Sequence, residues 1–358
     1  MIPLYDYLYE ASISDKKAFI KNAVDDLDAE TINRIYNIVD STSPEARTLL
    51  HNHIGGVGLE AIQDIILYYF EQNDDLVNYI HYLEQPNKML KVKTITDVDS
   101  GNIVDICSSL GFDKKTIKRI ALEKNAGGIK VGEYEYLLRL FLHGASDTIN
   151  KQGNISGDVI ADGVAIEVKS GKARISGAKT KAPQTILDQF NKVLNDKYSN
   201  KVHPIGEDAV SGGLKSTPKF WASLYDELKD ADTISMMIAS GYAAQWPETV
   251  WSKYSEKLIK FVRTNLFNGN RLNENNVNGV IASISLFCYA CTENFHKFMV
   301  FNKTNGEYIC LDCSEGTRNN GNLLKDAFNL FDTGKLRVHR LQSIGDTVYG
   351  KGIQFSTK

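Results

Sequence analysis

The stretch Gly157–Ser170, GDVIADGVAIEVKS, constrains the fold more than any other part of the chain. Apolar, mostly β-branched residues flank Asp162-Gly163, a dipeptide that favours a two-residue hairpin turn because both positions tolerate positive φ. Such a turn fixes the register: Ala161 faces Val164, Ile160 faces Ala165, Val159 faces Ile166 and Asp158 faces Glu167. Directly opposed residues share a face, with Cβ atoms ~5 Å apart. Side chains alternate along a strand, so Lys169 joins Glu167 on that face. Asp158, Glu167 and Lys169 are therefore predicted to converge. Val159, Ala161, Val164, Ile166 and Val168 take the other face, which suits burial against helices.

Two carboxylates held this close resist ionising together. A divalent cation relieves the conflict, and two carboxylates with a backbone carbonyl and waters suit Mg²⁺, with Mn²⁺ as a substitute. A lysine beside such an ion can orient or deprotonate an attacking water, or stabilise a phosphate under attack. The plainer alternative is a hairpin whose charged face carries a solvent salt bridge between Glu167 and Lys169.

Gly157-Asp158 followed by Ile166-Glu167-Val168-Lys169 resembles the signature of the PD-(D/E)xK nucleases, the restriction-endonuclease-like superfamily. The resemblance covers residues 132–198, and Gly157 stands where the name-giving motif has proline. It implies a mixed sheet flanked by helices, an α/β fold. It also implies that Asp158 and Glu167 hold Mg²⁺ and that Lys169 positions the nucleophilic water. A glutamate on the helix before the hairpin often completes such a site; Glu133 and Glu135 are both candidates, with Glu135 slightly favoured because it directly precedes Tyr136-Leu137-Leu138. A glutamine like Gln184 supports the site in some members, although a water-facing position at a helix start accounts for it equally well.

Net charge is −3, yet the charge is unevenly spread. Residues 1–84 hold 15 acidic and 5 basic side chains, a balance of −10; residues 167–201 hold 8 basic and 3 acidic, a balance of +5. A local basic tract in an acidic chain points to a confined polyanion site. Lys172 and Arg174 are candidate clamps on backbone phosphate, and Lys179 and Lys181 supply general positive charge. Residues 103–123 resemble a helix-turn-helix, with Cys107 and Leu110 before Gly111, and Ile117 and Ile120 inside a second helix that begins at Asp113 or Lys114. Lys114, Lys115, Lys118 and Arg119 ring the outside of that helix, where Lys115, Lys118 and Arg119 could meet DNA phosphates. Two packed helices joined by a glycine cap are the structural alternative.

Cys288-x2-Cys291 and Cys310-x2-Cys313 have the spacing of a structural zinc site. Against Zn²⁺, the Asn305-Gly306 turn pairs Phe301 with Cys310 and Phe298 with Cys313, which strands Cys291 beyond the paired stretch. The flanks also alternate like buried strands, in which cysteine is an ordinary small core residue. His51 and His53 are two apart with no third ligand nearby, and read as a loop or helix end.

The 358 residues divide on these signals into an N-terminal helical region (1–86), a helical segment with the helix-turn-helix pattern (87–130), the nuclease core (131–202), a helical insertion (203–275) and C-terminal strands (276–358). Ser43-Pro44-Glu45 marks a helix start. A helix is expected over 132–144 and another over 183–198, strands over 281–286, 295–301 and 308–311, and a hairpin over 336–355 turning at Gly345-Asp346. The longest apolar run, 280–291, is too short and serine-rich to span a bilayer. No basic region opens the sequence, so a secretory signal is not expected. An odd count of 5 cysteines fits a reduced, cytoplasmic chain without disulfides.

The expected function is Mg²⁺-dependent DNA endonuclease activity in restriction, a mobile element or phage DNA processing, with DNA as partner and no membrane. A homo-oligomer is allowed, as are host-cell cytoplasm and association with a virion. The rivals are a non-catalytic DNA-binding or virion structural protein that keeps the fold, and a zinc-organised adaptor.

Overall fold

The computed structural model describes residues 85–122, 132–146, 157–175, 179–199, 201–211, 213–341 and 353–358, with Asn78, Tyr79, Tyr82, Asn125, Ala126, Ile129 and Lys130. The helices expected before residue 78, the expected helix start at Ser43, the His51/His53 pair and the expected turn at Gly345-Asp346 fall on residues outside these. The fold is mixed α/β, with paired strands flanked by helices. Among the described residues no helix is long and apolar enough to cross a membrane. Two compact units divide the chain.

The first unit draws on Met1–Gln152, Gly157–Ser170 and Lys303–Cys310. Its hairpin pairs Val159 with Ile166, Ile160 with Ala165 and Ala161 with Val164, the register expected from the turn. Asp162 and Gly163 take φ of 47° and 77°, the left-handed pair that a tight hairpin turn needs. Ala145–Ser146 adds to the outer strand at Ala161 and Ile160. Ser100–Asn102 pairs antiparallel with Glu307, Tyr308 and Ile309.

The expected helix pair in this unit is present as Ile103–Ser109 and Lys114–Ala121. Gly111 turns between them at φ 99°. The Asp113 side chain caps the second helix by accepting the Lys115 and Thr116 amides at 2.7 and 3.0 Å, satisfying donors that have no intrahelical partner. Ile117 and Ile120 are fully buried. Phe112 and Phe141 meet edge to face at 4.9 Å, with Tyr79 and Tyr82 stacked beside them. Residues 132–144 hold a shorter helix than expected, Glu135–Phe141, and five of its seven residues are buried, so it is enclosed rather than amphipathic.

The second unit draws on Gly153–Ser156, Gly171–Asn302 and Leu311–Lys358. Gln184–Tyr198, Gly213–Leu228, Ala231–Ala244 and Glu248–Leu266 are helices, the first as expected from 183–198. Trp221 and Tyr242 pack their rings against Phe190 at 5.0 and 5.8 Å. Residues 281–286 are not a strand; they belong to the 17-residue helix Val277–Glu293. This helix is buried from Val280 through Ala290, so its sequence is apolar on every side and shows no helical period. A short apolar run of that kind reads equally as a buried strand or a buried helix.

Arg318, itself buried, closes the C-terminal end of that helix by donating to the Ala290 carbonyl at 2.6 Å and to Asn294 at 2.7 Å, where exposed carbonyls favour a cation. It comes from Glu315–Asn320, which with Asn322–Asp332 forms a helix pair that the strand-only reading of 276–358 missed. Leu336–Arg340 and Gln354–Thr357 pair antiparallel as expected, and Ala173–Arg174 extends them into a three-stranded sheet.

Candidate active site

The hairpin and the Glu135–Phe141 helix build the site. Val159 and Ile166 are fully buried on one face of the hairpin. The opposite face is closed as well: Ala165 is 0% exposed and Glu167 only 6%. Glu167 is thus a buried carboxylate, and its salt bridge with Lys169 is present but enclosed rather than at the surface. Burying a charge is costly unless it is paired, and Lys169 is the partner. Its ammonium donates to Glu167 Oε1, to Asp158 Oδ2 at 3.4 Å and to the Val168 carbonyl at 3.1 Å.

Asp158 departs from the simple ladder. Its amide donates to the Ile166 carbonyl at 2.8 Å, so the outer strand ends at Val159. The Asp158 carboxylate takes over the ladder's role by accepting the Val168 amide at 2.8 Å. One oxygen therefore holds a backbone amide and faces Lys169. Gly157 runs so close to the inner strand that a Cβ there would stand 3.1 Å from the Ile166 carbonyl oxygen, which fits glycine at this position.

The two glutamates before the helix separate. Glu135 accepts the Gly132 amide and lies within electrostatic reach of Asp158, Arg139 and Lys169. Burial pushes its carboxyl up from 4.5 to about 7, the negative charge of Asp158 adds to the rise, and Arg139 and Lys169 partly offset it. Glu133 turns elsewhere, accepting Ser170 Oγ at 2.7 Å and Lys303 Nζ at 2.6 Å. Of the two candidates, Glu135 is the one that faces Asp158 and Lys169.

Lys169 stays charged. Burial would lower its pKa, but the carboxylates of Glu167 and then Asp158 overturn that and raise it. Sequence reasoning missed Arg139, whose Nη2 donates to the Asp158 carbonyl at 2.8 Å and fixes the backbone beneath the carboxylate. Its position four residues after Glu135, on the same helix face, was the available signal. At the far end of the hairpin, His143 Nδ1 and Asp162 Oδ1 meet at 2.8 Å and tie the turn to the loop after the helix.

Comparison with protein families, with curated proteins and with solved structures finds no match. Asp158, Glu167 and Glu135 offer only oxygen donors, the kind that a hard divalent cation takes. Among the described residues no group of three or more His, Cys, Asp or Glu side chains is assembled as a metal cage. Lys169 holds the position between Asp158 and Glu167 and supplies the positive charge there.

The remaining sequence-derived candidates occupy separate positions. Lys115 and Lys118 are exposed on the Lys114–Ala121 helix, Arg119 is half-buried, and Lys114 pairs with Asp105 at 2.7 Å. Lys172 and Arg174 are exposed. Gln184 donates to Asp188 at 2.9 Å along its own helix, so its amide serves that helix. Cys288 and Cys291 lie one turn apart on the Val277–Glu293 helix, where burial pushes the Cys291 thiol up to about 12. Cys310 points its sulfur at the Thr96 carbonyl, 3.9 Å away. The Cys313 amide donates to His296 at 2.8 Å, so Cys313 pairs with His296 rather than Phe298.

Proposed function

We propose that this chain is a Mg²⁺-dependent DNA endonuclease with a restriction-endonuclease-like core of the PD-(D/E)xK type. The observation that carries the reading is the meeting of Asp158, Glu167 and Lys169 in one partly enclosed cluster, with Glu135 on the helix before them. Its roles follow from its chemistry. Asp158 and Glu167 would hold the ion, with Glu135 as a third carboxylate. Lys169 remains an ammonium, so it orients water or the phosphate by donating hydrogen bonds rather than by removing a proton. Arg139 keeps Asp158 in place. Mg²⁺ bound there would supply Lewis acidity and lower the pKa of its water. By resemblance, the products carry a 5′-phosphate and a 3′-hydroxyl. Lys172 and Arg174, with Lys115, Lys118 and Arg119, contact the DNA backbone.

Supercoiled, linear duplex and single-stranded DNA incubated with and without Mg²⁺ test the proposal. Cleavage that needs the ion and disappears in Glu167→Gln is expected. No cleavage of any substrate, with no Mg²⁺-dependent rise in Tm, returns the chain to a non-catalytic DNA-binding or virion role.

A further inference from the structure

The three-stranded sheet of the second unit has two unlike faces. Leu336 and Phe355 are buried on one, with the Phe355 ring 5.9 Å from Phe298 and 5.7 Å from Phe331. The other face is read from the pairing. Arg340 opposes Gln354, and Gln354 opposes Arg174, so these three form one row across the sheet. Arg337 opposes Ser356 in the next row. The register shifts between Val338 and Arg340, and this irregularity brings Arg340 onto the face that Arg337 already shares with Gln354 and Ser356. His339 joins them, its Nε2 2.8 Å from Ser356 Oγ. Burial lowers the pKa of its imidazole, and the positive charges of Lys172 and Arg337 lower it further, so Lys172, next to Ala173 in the chain, lies within electrostatic reach of His339.

Arg337, His339, Lys172 and Arg174 are exposed, Arg340 is half-buried, and the three strands contain no carboxylate. In a chain with a net charge of −3, this is a concentrated patch of cations among hydroxyl and amide groups. We infer that the face binds the phosphate backbone of a nucleic acid, with Arg337 and Arg340 extending the contacts of Lys172 and Arg174. The inference rests on the proposed reading of those two residues. Guanidinium forks suit phosphate oxygens, and serine and glutamine are common backbone-contacting partners. A membrane surface fits less well, because among the described residues the exposed large apolar side chains are Val98 and Leu122, neither on these strands.

The test measures duplex affinity of the full chain against salt concentration in EDTA, so that nothing is cut. Arg337→Gln with Arg340→Gln should flatten the slope of log K against log[salt] by about 1.8, while Arg337→Lys with Arg340→Lys should restore it. If the double glutamine variant does not fold, each single change carries the test at about 0.9. An unchanged slope overturns the inference, as does binding to phosphatidylserine vesicles but not to duplex. If that slope is unchanged while cleavage still depends on Asp158, the hydrolytic proposal survives and only this face is excluded. A flattened slope in a chain that cuts nothing with Mg²⁺ supports the face and sinks the hydrolytic proposal.

Discussion

The Glu167–Lys169 strand and the Cys288–Cys291 helix both carry residue spacings suited to a metal, and the fold arranges them differently. On the strand, two charged residues two apart share a face, and a tight turn brings Asp158 back beside them. On the helix, two cysteines three apart also share a face, but the partners at Cys310 and Cys313 come from a separate strand and its end. One motif is completed within fourteen residues of chain, Gly157–Ser170; the other depends on where distant segments pack. Spacing is informative when a single local element closes it.

The largest effect that would sharpen this contrast is loss of the buried charge pair. Glu167→Gln should reduce Mg²⁺-dependent cleavage by at least about 100-fold, and adding Asp158→Asn should cost little more, because groups acting as a unit are not additive. Lys169→Met leaves Glu167 and Asp158 without their cation, and should destabilise the metal-free chain by on the order of 3 kcal/mol in denaturant unfolding. Wild-type cleavage by Glu167→Gln would remove the hairpin from the catalytic site.

Glu135 sharpens the contrast through pH. Its carboxyl binds a proton more tightly in the folded chain than in the unfolded one. Its contribution therefore favours folding fully below about pH 4.5 and is lost as pH rises through about 7. Without metal, the loss amounts to at most on the order of 3 kcal/mol. A pH series of thermal melts should show this decline in the wild type and a flatter curve in Glu135→Gln. Identical curves would place Glu135 away from the charge cluster.

The paired helices at Ile103–Ser109 and Lys114–Ala121 form an intermediate case, with a local pattern whose use depends on a partner. Replacing Lys115, Lys118 and Arg119 together should weaken duplex binding and blur any preferred cut position. Cleavage of a short substrate at saturating concentration should persist. Unaltered affinity and cut pattern would make the pair ordinary packed helices.

The smallest effect is expected at the cysteines. Cys291→Ser should change stability by about 1 kcal/mol or less, and a zinc-selective chelator, with Mg²⁺ held constant, should leave the Tm where it was. A fall of several degrees on chelation, abolished by Cys291→Ser, would show that the two motifs behave alike after all.

Short-range geometry was legible in the residues alone. Asp162-Gly163 and the alternation of 159–168 were enough for the hairpin register, and Asp113 with Gly111 was enough for the paired helices. Tertiary structure decided whatever depends on enclosure. It turned Glu135 toward Asp158 and Glu133 toward Lys303, although the two residues are only two apart. It buried Glu167, and it made 281–286 part of a helix surrounded on all sides, whose apolar run carries no period to read. It also gathered Arg174, Arg337 and Arg340 onto one sheet face from strands more than 160 residues apart along the chain. Turn sterics and strand alternation act within a few residues, whereas burial and charge pairing depend on which distant segment arrives alongside.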